Sequence, residues 1–272
     1  MVKYKSAFLI VLYSCDIVDS QTIRTLISSK VLFLKSKLVI WNNGPNNIDL
    51  ARFNELIEKG LDVELRQTVN NISLAKIYNE FLDSGDSENY IILDHDTSLN
   101  DTYLASVAEF KNEIAVPDVF SKEKLHSPRF VKKLFCSDVE VTAIGSGLVV
   151  SNLLISKLKS KYDLAFDERF LLYGVDTSFF YRVAAIIDIE RELIRLPKLE
   201  HSLSSDEVES VETSEFRKVE KSFDFGLRLR YYPTVDKIFL LFILCFKSIT
   251  LKSPLSVKYI LLALITGKHY RL

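Results

Sequence analysis

The sequence predicts an α/β protein: a mostly parallel central sheet with helices on both faces, followed by a helical extension that is both basic and apolar. Three observations lead there. Short, continuously apolar runs alternate with amphipathic helical stretches over the first hundred residues, the pattern of strand-helix units feeding a parallel sheet. Turn signals fall between these runs and not inside them. Charge is divided unevenly: residues 217–272 carry eleven Lys or Arg against three acids, a net of +8, which leaves -9 on the preceding part of a chain whose total is -1.

Taken in order, AFLIVL at 7–12 is rich in β formers and apolar at every position, as expected of a strand covered on both faces. Ile23, Leu26 and Ile27 give 20–29 one apolar helical face, and LVIW at 38–41 is a second strand cut off by the turn signal Asn42-Asn43-Gly44-Pro45. Residues 50–59 read as a helix ended by Gly60, 62–66 as a strand, 73–82 as a helix, and YIIL at 90–93 as a strand running straight into Asp94. Beyond Asp96 the pattern thins. Residues 113–119 and 147–150 read as strands, 122–141 as a long loop, 177–185 as a helix and 193–197 as a last strand. The acidic, serine-rich stretch 202–215 reads as an exposed linker or helix start, so the expected division is a main domain at 1–205 and an extension at 206–272.

With 272 residues, 48% of them hydrophobic, the chain is long enough for one good core and a small appendage. Near-neutral total charge argues against a nucleic-acid partner, which requires a basic excess. Cys15, Cys136 and Cys245 are far apart and form no C-x-x-C pair, so they support neither a disulfide framework nor a structural zinc site, and a cytoplasmic location is expected. The apolar run at 7–13 is too short for a secretory signal, and the one at 238–246 falls far below the roughly 20 residues of a membrane span.

Ligands of open parallel sheets bind at the carboxyl ends of the strands, where Asp94 and Asp96 are expected. Residues two apart in an extended or turning segment point to one side, so both carboxylates can converge on a hard divalent cation, with His95 pointing away. A polar turn after a strand is the plainer reading of a lone D-x-D. Other segments keep it company. Residues 71–79 (NISLAKIYN) open a helix with Asn71 or Ser73 as N-cap and Asn79 two turns on. Ile144-Gly145-Ser146-Gly147-Leu148 supplies small residues where a backbone must approach something bulky. FDERFLLYGVD at 166–176 precedes the helix that contains Arg182, and Leu199-Glu200-His201 follows the last strand.

This ordered set resembles glycosyltransferase family 2, inverting enzymes of the GT-A fold, over three quarters of the chain, from Ala7 to about His201. The family's first strand and turn are matched by 8–14, ending in Tyr13 and Ser14, and its nucleoside-contacting turn by 39–44, with Asn42 and Asn43. The N-x-G-I-A-x-A-x-N segment is matched from Asn71 to Asn79 with Ser73 in place of glycine, and the D-x-D by Asp94 and Asp96. F-D-E-x-F and the following acidic position are matched by 166–176, with Val175 where many members have Glu. Val-Asp and the Ser-Gly strand look like the rhamnosyltransferase branch of bacterial surface-polysaccharide enzymes, although Tyr173 replaces an Asp usual in that branch, which leaves the donor sugar open.

The resemblance implies a Rossmann-like sheet and transfer of a sugar, rhamnose among the candidates, from a dTDP- or UDP-sugar to a saccharide hydroxyl, with a polyprenyl-diphosphate-linked O-antigen or capsule precursor as acceptor. It implies Mg²⁺ or Mn²⁺ on Asp96, Asp94 contacting the ribose or a metal-bound water, and His201 completing the metal shell. It implies donor contacts from Tyr13, Ser14, Asn42, Asn43, Asn71 and Asn79, and Asp176 as general base. Ser146, Gly147, Asp167, Glu168 and Arg182 fall on the acceptor side. Read without the family, Asp176 is first a helix N-cap, His201 an ordinary histidine after a strand, and Arg182 equally a partner for a carboxylate.

In the extension, Phe239, Leu240, Phe242, Ile243 and Phe246 are apolar at helical spacing between Lys237 and Lys247, and 259–265 repeats the pattern before Lys268. Short basic amphipathic helices lie in a membrane interface, here an anionic surface at the inner face of the cell membrane; closing the main core or a subunit contact is the alternative. Two other functions compete. A sugar nucleotidyltransferase needs a glycine-rich phosphate loop near its start, yet the first glycine is Gly44. A non-catalytic sugar-binding protein of the same fold has no use for Asp94, Asp96 and Asp176 together.

Overall fold

The computed structural model describes residues 3–31, 33, 35–48, 54–58, 60–135, 138–201, 211–249 and 253–272. The first half is regular: β1 (Tyr4–Leu12), α1 (Gln21–Ser28), β2 (Ser36–Asn42), α2 (Asn54–Glu58), β3 (Leu61–Gln67), α3 (Leu74–Leu82) and β4 (Ser87–Asp94). These four strands are parallel in the order β3-β2-β1-β4. Register places Val11 beside Asp94 and Leu12 beside Asn42, so the turns after β1, β2 and β4 open at one edge.

The second half runs β5 (Thr97–Ser98), α4 (Asp101–Ala108), β6 (Ile114–Ser121), β7 (Lys124–Ser127), β8 (Arg129–Lys132), β9 (Val139–Thr142), β10 (Leu148–Ser151), α5 (Asn152–Tyr162), α6 (Val175–Ala184), α7 (Ile189–Glu192), β11 (Leu193–His201), α8 (Val211–Tyr231), α9 (Val235–Ile249) and α10 (Val257–Thr266). Among the described residues one nine-stranded sheet has the order β3-β2-β1-β4-β10-β6-β11-β5, with β7 paired to β6, and β8-β9 form a separate ribbon. β6 and β11 continue the parallel pairing, while β10 lies antiparallel between β4 and β6.

Continuous apolarity in β1 has the expected cause. Ala7, Leu9 and Val11 join a core with residues of α3, α5 and α6, while Phe8, Ile10 and Leu12 join a second core with residues of α1 and α4. Each fully buried Phe or Leu contributes about 1.5–3 kcal/mol. Phe166 and Phe179 stack at 4.4 Å within the first core, which fixes the 164–170 loop against α6. Phe223, Leu227 and Ala263 belong to that same core, so α8 and α10 pack on the sheet domain. A third cluster of Phe225, Leu229, Leu244 and Ile260 ties α8, α9 and α10 together. Gly226 makes this possible, because a Cβ there would lie 2.4 Å from the Ile260 carbonyl oxygen.

Three expectations need correction. The long loop read at 122–141 contains β7, β8 and β9, four residues each; β8 is exposed at every position, so no alternation of polarity marks it. The last strand continues to His201, passing Pro197 through an irregularity between Leu196 and Leu199. Helices α4 and α5 follow Asn100 and Ser151, whose side chains accept from Tyr103 N and Leu154 N as N-caps. The helix read at 50–59 is described only as α2, and most of the 202–215 linker lies outside the described residues. No helix among the described residues is long and apolar enough to cross a membrane.

Candidate functional site

β4 ends at Asp94, and the turn that follows is held from two sides. On one side the N-terminus of α1 grips it: Ser20 Oγ donates to the His95 carbonyl at 2.9 Å, Thr22 N donates to the same oxygen at 3.1 Å, and Thr22 Oγ1 accepts from Thr97 N at 3.0 Å. On the other, Ser146 Oγ accepts from Asp94 N at 2.9 Å and lies 2.6 Å from Thr97 Oγ1. Pairing of β5 with β11 sets His201 opposite Thr97, whose hydroxyl is 2.9 Å from His201 Nδ1.

The consequence is a cluster of hard donors. His201 Nε2 is 3.8 Å from Asp94 Oδ2, and His201 Nδ1 is 3.3 Å from Asp96 Oδ1. One donor atom from each of the three residues lies within 4.8 Å of the others. Ligands bound to a single divalent ion at about 2.1 Å stand about 3–4 Å apart, so oxygen, oxygen and imidazole here fit Mg²⁺ or Mn²⁺. When Nδ1 is engaged with Thr97 Oγ1, Nε2 is the nitrogen left to ligate an ion. Burial raises the Asp94 carboxyl above its ordinary range, Asp96 adds to the shift, and His201 opposes it.

Asp176 lies in the first turn of α6 but does not cap it. Gly174, at φ +81°, is the N-cap residue, and Asp176 Oδ2 instead accepts from Gly145 N at 2.9 Å. A Cβ on Gly145 would stand 2.6 Å from Asp176 Oδ1, so a larger residue there would have to displace the carboxylate. Burial and the charge of Asp94 push the Asp176 carboxyl up to about 7, against the pull of the Gly145 hydrogen bond.

Two cavities flank these carboxylates. One, of about 430 Å³, is lined by Tyr13, Asn43, Asn71, Asp94, His95, Asp96 and His201 on the sheet side and by Phe216 and Arg271 from the extension. The other, of about 450 Å³, contains Asp176, Ser127, Arg129, Tyr173, Arg217 and Lys221. Leu172 lines both. Asn43 and Asn71 brace the first cavity: Asn43 Oδ1 accepts from Ile72 N at 2.9 Å, and its amide donates to Ile72 O at 3.0 Å and Asn71 Oδ1 at 3.2 Å.

Several expected site residues are placed elsewhere. Asn79 is buried in α3, where its side chain accepts from Phe166 N at 2.9 Å and donates to Phe166 O and Glu168 Oε1 at 3.0 Å each, so it clamps a loop and does not line the cavity of the Asp94 cluster. Asp167 and Arg182 are buried with it and do not face Asp176. Arg169 Nε and Tyr232 Oη donate to Asp167 at 2.7 Å each, and Arg182 pairs with it at 3.2 Å. Burial opposes ionisation of Asp167, but those hydrogen bonds hold its carboxyl below the ordinary range. Ser146 and Gly147 lie under the Asp94 turn and line neither of the two cavities. Ser14 and Asn42 line a separate recess beside Gly44. His95, expected to point away, lines the cavity with its neighbours.

Sequence reasoning missed Ser20, Thr22 and Thr97, which hold the turn, and Phe216, Arg217, Lys221 and Arg271, which bring the extension to both cavities. A Ser-x-Thr at a helix start offers hydroxyls for such a role; nothing in the sequence pairs it with residues 94–97.

No protein-family model matches the chain, and no curated protein matches it by sequence. Among solved structures it is similar to S. aureus TarS, a glycosyltransferase, with a TM-score of 0.52 at 13% identity over 80% of this chain and 43% of that one. TarS 1-349 gives 0.51 at 14% identity over 82% of this chain and 64% of the other. The same piece in complex with UDP gives 0.50 at 14% identity, with 84% and 66% covered. The chain therefore spans less than two thirds of the length of these structures. At such identity the likeness shows the fold alone, a mixed α/β, GT-A-like arrangement of sheet and helices with which the C-terminal helical extension is consistent.

Proposed function

We propose that this chain is an inverting glycosyltransferase that moves a sugar from a nucleotide diphosphate to an acceptor hydroxyl. One observation carries the reading: the Asp94-Asp96-His201 cluster opens into one cavity at the strand ends, and Asp176 opens into the next, with Leu172 between them. A UDP complex of the similar TarS piece supports a nucleoside diphosphate in the first cavity.

Asn43 and Asn71 brace the nucleoside end, and Asp94, Asp96 and His201 are the residues that would hold a divalent ion. When bound, such an ion would supply Lewis-acid stabilisation of the departing diphosphate. The acceptor lies in the second cavity, where its hydroxyl attacks the anomeric carbon from the face opposite the nucleotide and gives its proton to Asp176. A carboxyl titrating near 7 is matched to base catalysis at neutral pH, because it is substantially ionised and still basic enough to take the proton. Arg129, Arg217 and Lys221 around it favour an acceptor that carries phosphate, in keeping with a polyprenyl-diphosphate-linked saccharide. Rhamnose from dTDP-rhamnose is the first donor to try.

Such an acceptor fits peripheral attachment to the inner face of the cell membrane. Phe242 and Phe246 of α9 and Ile265 of α10 are 68%, 70% and 74% exposed, and Leu134 and Phe135 beyond β8 extend the patch, with Phe135 edge-on to Phe239 at 5.6 Å. The function is tested by incubating the chain with a panel of UDP- and dTDP-sugars, with and without Mn²⁺ or Mg²⁺, and measuring nucleoside diphosphate release. Metal-dependent release from one donor is expected; no release from any donor refutes the assignment.

A further inference from the structure

The extension does more than cover the sheet. Its last residues reach the cavity of the Asp94-Asp96-His201 cluster, where Arg271 forms part of the wall with Phe216. Arg271 is the one Lys or Arg among the described residues of that wall, and its side chain is 28% exposed. A nucleoside diphosphate bound there adds negative charge to a site that already holds two carboxylates. A divalent ion offsets part of that charge, and a cation from the protein is needed for the rest.

Arg271 is held ready for this. Arg271 Nη2 donates to Glu220 Oε2 at 2.9 Å, Tyr270 Oη donates to Glu220 Oε1 at 2.7 Å, and His269 Nε2 lies 3.4 Å from Glu220 Oε2. The Glu220 side chain is fully buried in α8. Burial works against its ionisation, but the hydrogen bonds from His269 and Tyr270 keep the carboxyl below its ordinary range, so it stays a charged anchor. Further along α8, Arg230 donates to the carbonyls of Leu264 and Ile265, and Tyr231 Oη donates to Gly267 O at 2.9 Å. Residues 264–271 are thus fastened to α8 at two levels. A guanidinium has five N–H donors in a fixed fork, and among the described residues only Glu220 takes a hydrogen bond from this one.

We infer that Arg271, positioned by Glu220, binds the diphosphate of the nucleotide donor, so that the end of the extension completes the donor site. This rests on the nucleotide-sugar reading above and adds to it a residue outside the sheet domain. Arg271 is a donor-binding residue, and Glu220 acts through it.

The test compares UDP with uridine on the full chain in Mn²⁺, by calorimetry for UDP and by ligand-observed NMR for uridine. R271A should weaken UDP at least tenfold and leave uridine within twofold, because only the diphosphate meets the guanidinium. R271Q keeps the first part of the stem and a neutral N–H donor while removing the charge, and should behave as R271A does; R271K should fall between it and the wild type. E220Q should weaken UDP less than R271A. Thermal melting of each variant identifies any that fail to fold, and R271Q then carries the comparison. Unchanged UDP affinity in both R271A and R271Q overturns the inference, as does equal weakening of UDP and uridine, which makes Arg271 a wall residue only. A wild-type chain that binds no UDP overturns the nucleotide reading itself and the inference with it.

Discussion

Asp176→Asn separates catalysis from stability in one substitution. The amide keeps an acceptor for Gly145 N, now 2.9 Å from the carboxylate, and nearly the same volume. It cannot take a proton from the acceptor hydroxyl, so kcat should fall by about 10² to 10⁴ while donor affinity stays within twofold. Stability should move the other way. A carboxyl with an ordinary value of 3.8, raised to about 7 by burial and by Asp94, is harder to ionise in the folded chain than in the unfolded one. The shift of roughly three units corresponds to an upper bound of about 4 kcal/mol, and partial exposure of the side chain reduces this to about 1–3 kcal/mol. The sign follows from the raised value: wild-type stability is unaffected below 3.8 and is lost as pH rises through 7. The variant should therefore match the wild type in acid and melt higher at pH 8 by several degrees, at about 2–4 °C per kcal/mol. Melting curves from pH 4.5 to pH 8, with steady-state kinetics on the same samples, check both parts. A kcat reduced less than tenfold refutes the base role, and a variant that melts lower at pH 8 refutes the account of burial.

Four further outcomes are expected. Asp96→Ala should remove Mn²⁺ binding measured by calorimetry and abolish nucleotide release; retention of both means the cluster is a polar turn. Ser146→Ala deletes the acceptor for Asp94 N and the partner of Thr97 Oγ1, and should lower metal affinity about 10- to 100-fold without touching a ligand. Wild-type kcat/KM should rise with pH through about 7 as Asp176 ionises, and a flat profile from pH 6 to pH 8 counts against it. The chain should sediment with anionic vesicles, less so in high salt, and Phe242→Asp with Phe246→Asp should abolish sedimentation; equal pelleting of that variant assigns the patch to a protein contact.

The parallel half of the sheet was readable because β1, β2 and β4 are almost continuously buried, while β3 at the sheet edge alternates apolar and polar residues. The run at 7–12 has no polar position to confuse with a helix, and 38–41 ends at an unmistakable turn. Asp94 and Asp96 were placed correctly at a strand end for the same reason. What lay beyond them was harder. β8 and β9 are short and mostly exposed or half-buried, so their positions have no periodicity to detect, and β10 reverses direction without any mark in its own residues. Asn79 and Asp167 carried polar side chains in matched motifs and so read as binding residues, but a buried amide and a buried carboxylate serve as well to hold a loop, and only the partners tell the two apart. The reach of Phe216 and Arg271 to the cavity of the Asp94 cluster depends on how α8 packs across the sheet, with Gly226 letting α10 approach, a tertiary arrangement that local pattern does not encode.

The central claim, that the Asp94-Asp96-His201 cluster and the cavity around it hold the diphosphate of a nucleotide, is met most directly by titrating UDP and dTDP into the full chain in the presence and absence of Mn²⁺. The account predicts saturable binding of at least one of them that weakens at least tenfold when Mn²⁺ is withheld or Asp96 is replaced by Ala. Binding of neither, or binding indifferent to both the ion and Asp96, contradicts it.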